Sequence, residues 1–450
     1  MQLAVVLVLL VVGSLLFHFV SPWWFTPIAS NWGSIDLTID ITFVITGIVF
    51  VAVNLFLAYA IYRYRYDPRR RAHYEPENKK LESWLTGITA VGVAAMLAPG
   101  LVVWADFVDP PEDADVIEAV GQQWQWSFRL PGDDGVLGTT DARYINPGNP
   151  FGMTPTDDNG LDDVLISGNE VHLPIDRPVK VLLRSKDVLH DFAVPQFRVK
   201  MDLVPGLVSS LWFTPTRTGR FDILCMELCG IAHYTMRGHV VVDEQADFDS
   251  WLGAQSTWAD MQAIAKGDAQ TGHGLYAVCA TCHGASGEGN PAMNAPRLAG
   301  LPSWYIERQI DYYRRGIRGA HEEDTFGRQM APMAATLADA AAVRHVGAFI
   351  ETLAPAPAQQ TVDGDPRRGK HLYDTCGACH GGQAQGNVAL GAPRLAGQQD
   401  WYLKRQLQNF RKGIRGAHPA DVYGHQMVLM ARSLRESAAT DDLLAYLNTL

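Results

Sequence analysis

Cys225-Met226-Glu227-Leu228-Cys229-Gly230-Ile231-Ala232-His233-Tyr234-Thr235-Met236 puts two thiols, an imidazole, a carboxylate and a thioether into one short loop. Soft sulfur with imidazole selects copper or zinc over hard cations. A mononuclear blue-copper site uses one Cys, two His and a weak axial Met, so this loop has one thiolate too many. A second imidazole stands upstream, His190 in Ser185-Lys186-Asp187-Val188-Leu189-His190-Asp191-Phe192. Two bridging thiolates would give each of two coppers both sulfurs and one His. Met236 then suits one axial position, and the backbone carbonyl of Glu227, inside the tight Cys-to-Cys loop, suits the other. A pair sharing its ligands in this way spreads one electron over two metals, so little has to move on reduction. A structural Cys2His2 zinc site and a redox disulfide compete with this reading. The disulfide leaves His190, His233 and Met236 without a role.

On these residues the chain resembles subunit II of the cytochrome c oxidases, with its dinuclear CuA centre, over about residues 36–243. The resemblance implies His190, Cys225, Glu227 (through its carbonyl), Cys229, His233 and Met236 as copper ligands. It also implies that the Glu227 side chain reaches a magnesium ion where subunit I is contacted.

The bulk composition agrees with a membrane protein carrying large soluble parts. Hydrophobic residues make up 47% of the 450 and charged residues 19%, in a chain with long apolar runs. The six cysteines fall into three pairs, Cys225/Cys229, Cys279/Cys282 and Cys376/Cys379, so none is left for a disulfide framework and each pair should hold a cofactor. Between Asp106 and Asp176 stand 15 acids and two bases, which argues against a nucleic-acid partner.

Residues 1–20 are apolar and lack the positive n-region of a signal peptide; a retained membrane helix is favoured over a cleaved signal, which makes two or three membrane helices, with Trp23, Trp24 and Phe25 at the water interface. Residues 41–62 and 83–105 are two further spans, each long enough for roughly 30 Å of hydrocarbon. The loop between them carries Arg63, Arg65, Arg69, Arg70, Arg71, Lys79 and Lys80 and reads as cytoplasmic. Everything after about Asp106 is then outside. Glu82 opens the third run as an interfacial charge beside Lys79 and Lys80. The resemblance implies a second role for it, at the entrance of a proton path into subunit I.

From Val116 to Val242 the pattern is short strands and turns, with Val116–Val120, Val179–Leu183, Leu211–Phe213 and His239–Val242 as strands. An antiparallel β-sandwich with ligands on loops at one end is expected. In Trp124-Gln125-Trp126 the resemblance makes Trp124 the place where electrons enter, and Gln125 stands where the pattern expects an aromatic. Residues 131–170 form an acidic, Gly- and Pro-rich loop, expected to be solvated and able to steer a basic donor.

Cys279-Ala280-Thr281-Cys282-His283 recurs as Cys376-Gly377-Ala378-Cys379-His380, at an offset of 97 residues. Tyr276 and Tyr373, Pro296–Gly300 and Pro393–Gly397, Trp304-Tyr305 and Trp401-Tyr402, and Met330 and Met427 keep that offset. This is a duplicated domain. C-x-x-C-H is a covalent attachment site for c-type haem, its His binding iron from one side. The opposite ligand is expected from Met330 and Met427, since Met ligation raises the potential; Met333 and Met430 are the rivals, and His321 and His418 would give bis-His iron. The repeat resembles the class I cytochromes c, particularly two-haem periplasmic ones. Residues 354–362 are a Pro/Ala linker. Residues 363–450 carry 11 bases and 8 acids, so charge could draw the second haem domain to the acidic loop.

The expected chain is multidomain: an apolar segment and connection (1–35), a transmembrane hairpin (36–108), a cupredoxin-like CuA domain (109–243), a linker (244–265) and two all-α cytochrome c domains (266–353 and 363–450). It reads as the electron-input subunit of a haem–copper terminal oxidase, in a bacterial plasma membrane with its cofactors on the periplasmic side. Its partners would be subunit I, which bears the catalytic haem and copper, subunit III, and a cytochrome donor. Oxygen reduction belongs to another chain, because the three apolar runs contain only His18 as an imidazole. The CuA subunit of a nitric oxide reductase is the neighbouring reading. A membrane-tethered copper chaperone or redox sensor is the alternative from another class, and copper stoichiometry separates it.

Overall fold

Apolar stretches too long to bury in a soluble core open the chain. In the computed structural model, which describes all residues except 1, 22–25, 72–75, 147–148, 167, 356–358 and 435–436, they form α1 (Gln2–Val20), α2 (Gly33–Arg63) and α3 (Lys79–Val108). All three are long and apolar enough to cross a membrane. The helices pack in sequence, α1 on α2 and α2 on α3. Trp23, Trp24 and Phe25, expected at the interface, lie outside the described residues, as do Ala356, Pro357 and Ala358 of the Pro/Ala linker.

Ten strands follow among the described residues: β1 (Asp115–Gln122), β2 (Gln125–Leu130), β3 (Val164–Ile166), β4 (Glu170–Pro174), β5 (Val179–Ser185), β6 (His190–Val194), β7 (Val199–Leu203), β8 (Ser209–Phe213), β9 (Gly219–Cys225) and β10 (Arg237–Asp243). They make two five-stranded sheets, ordered β3-β2-β1-β5-β8 and β4-β10-β9-β6-β7. The sheets enclose a core that includes Trp126, Phe128, Phe192, Phe197 and Phe213. The sandwich is mixed rather than antiparallel. β1 pairs parallel with β5, and β10 with β4, because the chain changes sheets between these strands and returns in the same direction.

The sandwich is fixed to the membrane hairpin by specific contacts. Trp32 meets Trp212 edge-on at 4.8 Å and donates its Nε1–H to the Trp212 carbonyl at 2.9 Å. Trp212 in turn donates to the Asp106 carbonyl at 3.0 Å. Arg198 grips both oxygens of Asp36, at 2.7 and 2.9 Å, the fork geometry that fixes orientation as well as energy.

The acidic stretch 131–170 is not a purely solvated loop. Phe151, Met153 and Asn149 are buried, and Asp163 is fully so. Asp163 accepts from Arg129 at 2.7 Å, and Arg129 also holds Glu118 at 2.7 Å, with Arg184 on the far side of Glu118. Burial pushes the Asp163 carboxyl up to about 6 against the pull of Arg129. Buried acids need partners, and the two-base count did not reveal that one base serves two of them.

Residues 244–265, expected as a linker, contain α4 (Gln245–Gly253) and α5 (Trp258–Ala263). Trp251 stacks on His172 at 4.4 Å, and Trp258 is buried among Val120, Phe151, Met153 and Leu165. Both helices therefore belong to the packing of the copper domain.

Among the described residues each haem domain has four α-helices: α6 (Ala269–His283), α7 (Ser303–Arg314), α8 (Thr325–Ala334) and α9 (Ala340–Glu351), then α10 (Pro366–His380), α11 (Asp400–Lys412), α12 (Val422–Ser433) and α13 (Ser437–Leu447). The first and last helices of each domain cross closely at a glycine. A Cβ on Gly272 would lie 1.9 Å from the His345 carbonyl oxygen, and one on Gly369 1.9 Å from that of Asp442. These neighbours are backbone and cannot swing aside. Gly369→Ala is expected to destabilise the second haem domain by about 1–3 kcal/mol through overpacking, measured by thermal unfolding. Gly274→Ala, which meets nothing within 4 Å, is the control and should be neutral or slightly stabilising.

Candidate metal centre and haem cavity

The sulfur loop lies where β6 and β9 run side by side. Phe192 pairs with Cys225, so the start of β6 and the end of β9 bring His190 and Cys225 to the same end of one sheet. The loop then turns back through His233 to Met236, just before β10. Cys225 Sγ and Cys229 Sγ are 3.7 Å apart. His190 Nδ1 lies 3.9 Å from Cys225 Sγ, and His233 Nδ1 lies 3.4 Å from Cys229 Sγ. Met236 Sδ is 3.9 Å from Cys229 Sγ, and the Glu227 carbonyl oxygen is 3.2 Å from Cys225 Sγ. Each of the other four predicted copper ligands thus lies within 3.9 Å of one of the two sulfurs, and His190, Cys225, Cys229 and Met236 are buried.

Outer contacts orient these donors. His190 Nε2–H donates to Asp187 Oδ1 at 2.8 Å, which leaves Nδ1 to face the sulfurs, the arrangement by which a carboxylate sets a ligating imidazole. Burial opposes charge on His190, but the Asp187 hydrogen bond and the nearby Cys225 sulfur outweigh it and raise the pKa. The Cys225 thiol is held well below its ordinary value, first by the hydrogen bond from Cys229, then by His190 and the Asp191 amide. Cys229 is pushed up by the same shared proton and by burial. A pair that already favours one thiolate, flanked by two imidazoles and a thioether, fits soft cations. Asp187 was not singled out in the sequence; its signal was only its place three residues before His190.

Trp124, the predicted point of electron input, donates its Nε1–H to the Cys229 carbonyl at 3.0 Å, and Gln123 Nε2 donates to the same oxygen at 2.8 Å. Glu82 is exposed on the first turn of α3, beyond the hydrocarbon span from the sulfur loop. There its charge complements the helix dipole. The structure does not bring it near the other site residues. The ligand loop carries an exposed apolar rim of Met226, Leu228, Ile231 and Tyr234, at 53, 81, 54 and 68%.

The C-x-x-C-H motifs occupy the last turns of α6 and α10. His283 donates Nδ1–H to the Pro296 carbonyl and His380 to that of Pro393, each at 2.7 Å, so Nε2 of each ring is free to bind iron. Burial lowers both pKa values and keeps the rings neutral. A cavity of about 310 Å³ joins the two domains and is lined by all four attachment cysteines, both histidines, Met330 and Met427.

At the seam lies a polar network that sequence reasoning missed. Arg318 donates to Gln309 at 2.6 Å, Tyr402 at 3.0 Å and Gln406 at 3.1 Å. Arg415 donates to Gln406 at 2.7 Å, Gln309 at 2.8 Å and Tyr305 at 3.2 Å. Each residue has its partner 97 positions away, so the repeat held the signal. The two guanidiniums are 7 and 9% exposed and no carboxylate pairs with them in these contacts. Buried cations beside an apolar cavity fit a bulky apolar group that itself carries carboxylates, as haem does.

His321 and His418 are exposed and cap their own turns through Glu323 N and Ala420 N, and neither lines the cavity. Met333 and Met430 line the same cavity as Met330 and Met427; Met333 is also 38% exposed, and Met430 also packs against the copper-domain core. Met427 packs inside its own domain with Phe410, Val428 and Ala431.

Comparison with known proteins gives concordant matches. Residues 115–244 match the family model for the periplasmic domain of cytochrome c oxidase subunit II, and residues 269–354 and 366–450 match that for cytochrome c. The alternative cytochrome c oxidase subunit 2 of Bradyrhizobium diazoefficiens is 60% identical over 261 residues, 58% of this chain and 94% of that one. The cytochrome c oxidase subunit 2 of Cereibacter sphaeroides is 29% identical over 217 residues, 46% of this chain and 72% of that one. A solved cytochrome c4 from Pseudomonas stutzeri superposes with a TM-score of 0.34 at 28% identity, covering 41% of this chain and 99% of that one.

Proposed function

Since this chain belongs to the cytochrome c oxidase subunit 2 family, we propose that it is the electron-input subunit of a haem–copper terminal oxidase, passing electrons from a cytochrome donor to subunit I for reduction of oxygen to water coupled to proton translocation. The observation that carries this reading is the convergence of His190, Cys225, Glu227 O, Cys229, His233 and Met236 at the open end of one sheet. When bound there and in the haem cavity, a copper pair and two c haems supply one-electron carriers.

The chain's own residues do the positioning. Cys225, Cys229, His190, His233, Met236 and the Glu227 carbonyl would hold the copper pair from one loop and the neighbouring strand. Cys279, Cys282 and His283 would hold one haem together with Met330, and Cys376, Cys379 and His380 the other together with Met427. Trp124 links the haem cavity to the Cys229 carbonyl. The exposed apolar rim beside the ligand loop suits a protein partner, which we assign to subunit I, with the Glu227 carboxylate toward a magnesium ion at that contact. Glu82 would serve the proton path from the opposite side of the membrane. We place the assembly, including subunit III, in the bacterial plasma membrane.

Spectroscopy of residues 106–450, expressed with haem-attachment machinery and loaded with copper, tests the reading. Two coppers sharing one unpaired electron and two low-spin c haems are expected. Zinc, or one ordinary copper, in the Cys225/Cys229 loop would remove the oxidase reading and leave a tethered two-haem cytochrome.

A further inference from the structure

The two haem domains are near copies in sequence but not in surroundings. In the second, Leu429 and Met430 of α12 pack against the hydrophobic core of the copper domain. Their counterparts 97 residues earlier, Pro332 and Met333, are exposed. The copper domain contributes one residue to the wall of the haem cavity, Trp124, whose indole donates to the Cys229 carbonyl. Among the described residues no side-chain hydrogen bond or ion pair joins the two units, so this seat is apolar. Charge attraction to the acidic stretch 131–170 does not account for it.

The first haem domain meets the second through the Arg318/Arg415 network. Arg308 adds a contact to the Gly391 carbonyl and Arg405 one to Asn294 Oδ1, at 2.7 and 2.6 Å. The α8 face that would correspond to the copper seat stays open, with Pro332 exposed and Met333 38% exposed.

We propose that the two haem domains act in series, the first receiving the electron and the second, seated on the copper domain by Leu429 and Met430, delivering it through Trp124. This rests on the functional reading above. One electron moves inward at a time: the haem of the first domain is oxidised as that of the second is reduced, and the second is oxidised as the copper pair is reduced. No proton or bond changes hands. The open α8 face of the first domain is then left for an external one-electron donor.

The test uses the full-length chain loaded with copper and haem. A nearby ferric haem speeds spin relaxation of the copper pair, so microwave power saturation of the copper signal reads proximity without any turnover. Removing the second haem by Cys376→Ala with Cys379→Ala should lower the half-saturation power several-fold; Cys279→Ala with Cys282→Ala should leave it unchanged. Because a haem-free domain can unfold, Met430→Asp is made as well, with the methionine–iron band confirming that both haems persist. After rapid haem reduction, copper reduction in Met430→Asp should slow by about tenfold, the population lost when a buried methionine contact is given up. Met333→Asp should stay within about twofold of the parent. Sensitivity to the first haem instead, or equal sensitivity to both, overturns the series order while the copper reading stands. Absence of a mixed-valence copper signal in the parent chain removes the functional reading and the order with it.

Discussion

Cys229→Ser is expected to abolish the dinuclear centre while leaving both haem spectra intact. Its sulfur is the hub of the loop, 3.7 Å from Cys225 Sγ, 3.4 Å from His233 Nδ1 and 3.9 Å from Met236 Sδ. A hydroxyl is a harder donor, stays protonated at neutral pH and bridges soft metals poorly. Loss of an outer partner alone costs about 10–100-fold in metal affinity, and loss of a bridging ligand should cost more. Copper per chain should fall from two to one or fewer, and haem-to-acceptor transfer by at least the same factor. Metal analysis with paramagnetic resonance checks the first, and the unchanged haem bands confirm that the fold survives. Retention of two spin-sharing coppers in this variant would refute the bridging role.

Arg415→Met should lower the midpoint potential of the haem pair and loosen the seam between the haem domains. Removal of a buried positive charge makes the oxidised iron less costly, so the potential moves down. The stability effect depends on sharing. Gln309 Oε1 and Gln406 Oε1 each accept from both Arg318 and Arg415, so a single substitution leaves each acceptor one donor. Arg415→Met or Arg318→Met alone should cost about 1–2 kcal/mol, and the double variant about 3–5 kcal/mol, because only then do both glutamine oxygens lose every donor. Redox titration and chemical denaturation measure the two effects. Simple additivity with no change in potential would show that the arginines do no more than pack.

The chemistry of this protein was legible where it resides in short spacings. C-x3-C-x3-H-x2-M forces four donors into one loop whatever surrounds it, and C-x-x-C-H puts two thiols and an imidazole on one helical turn. The 97-residue offset exposed the duplication because both copies kept the same packing residues. Span length made the three apolar helices legible, since hydrocarbon thickness acts on composition rather than on contacts.

What the sequence left open depended on contacts between distant segments. Asp163 read as part of a solvated acidic loop and Asp187 was not singled out; only folding put them beside Arg129 and His190. Nothing in the sequence marked Arg318 and Arg415, which are buried where the two repeats meet. The difference between Met430 and Met333 could not be seen in two nearly identical motifs, because it comes from a third domain. The sequence by itself determined which atoms can bind metal and haem, since ligand chemistry is a property of side chains at fixed local spacing. The tertiary structure alone decided which haem domain sits at the copper centre, because that choice rests on which of two equivalent apolar faces is buried.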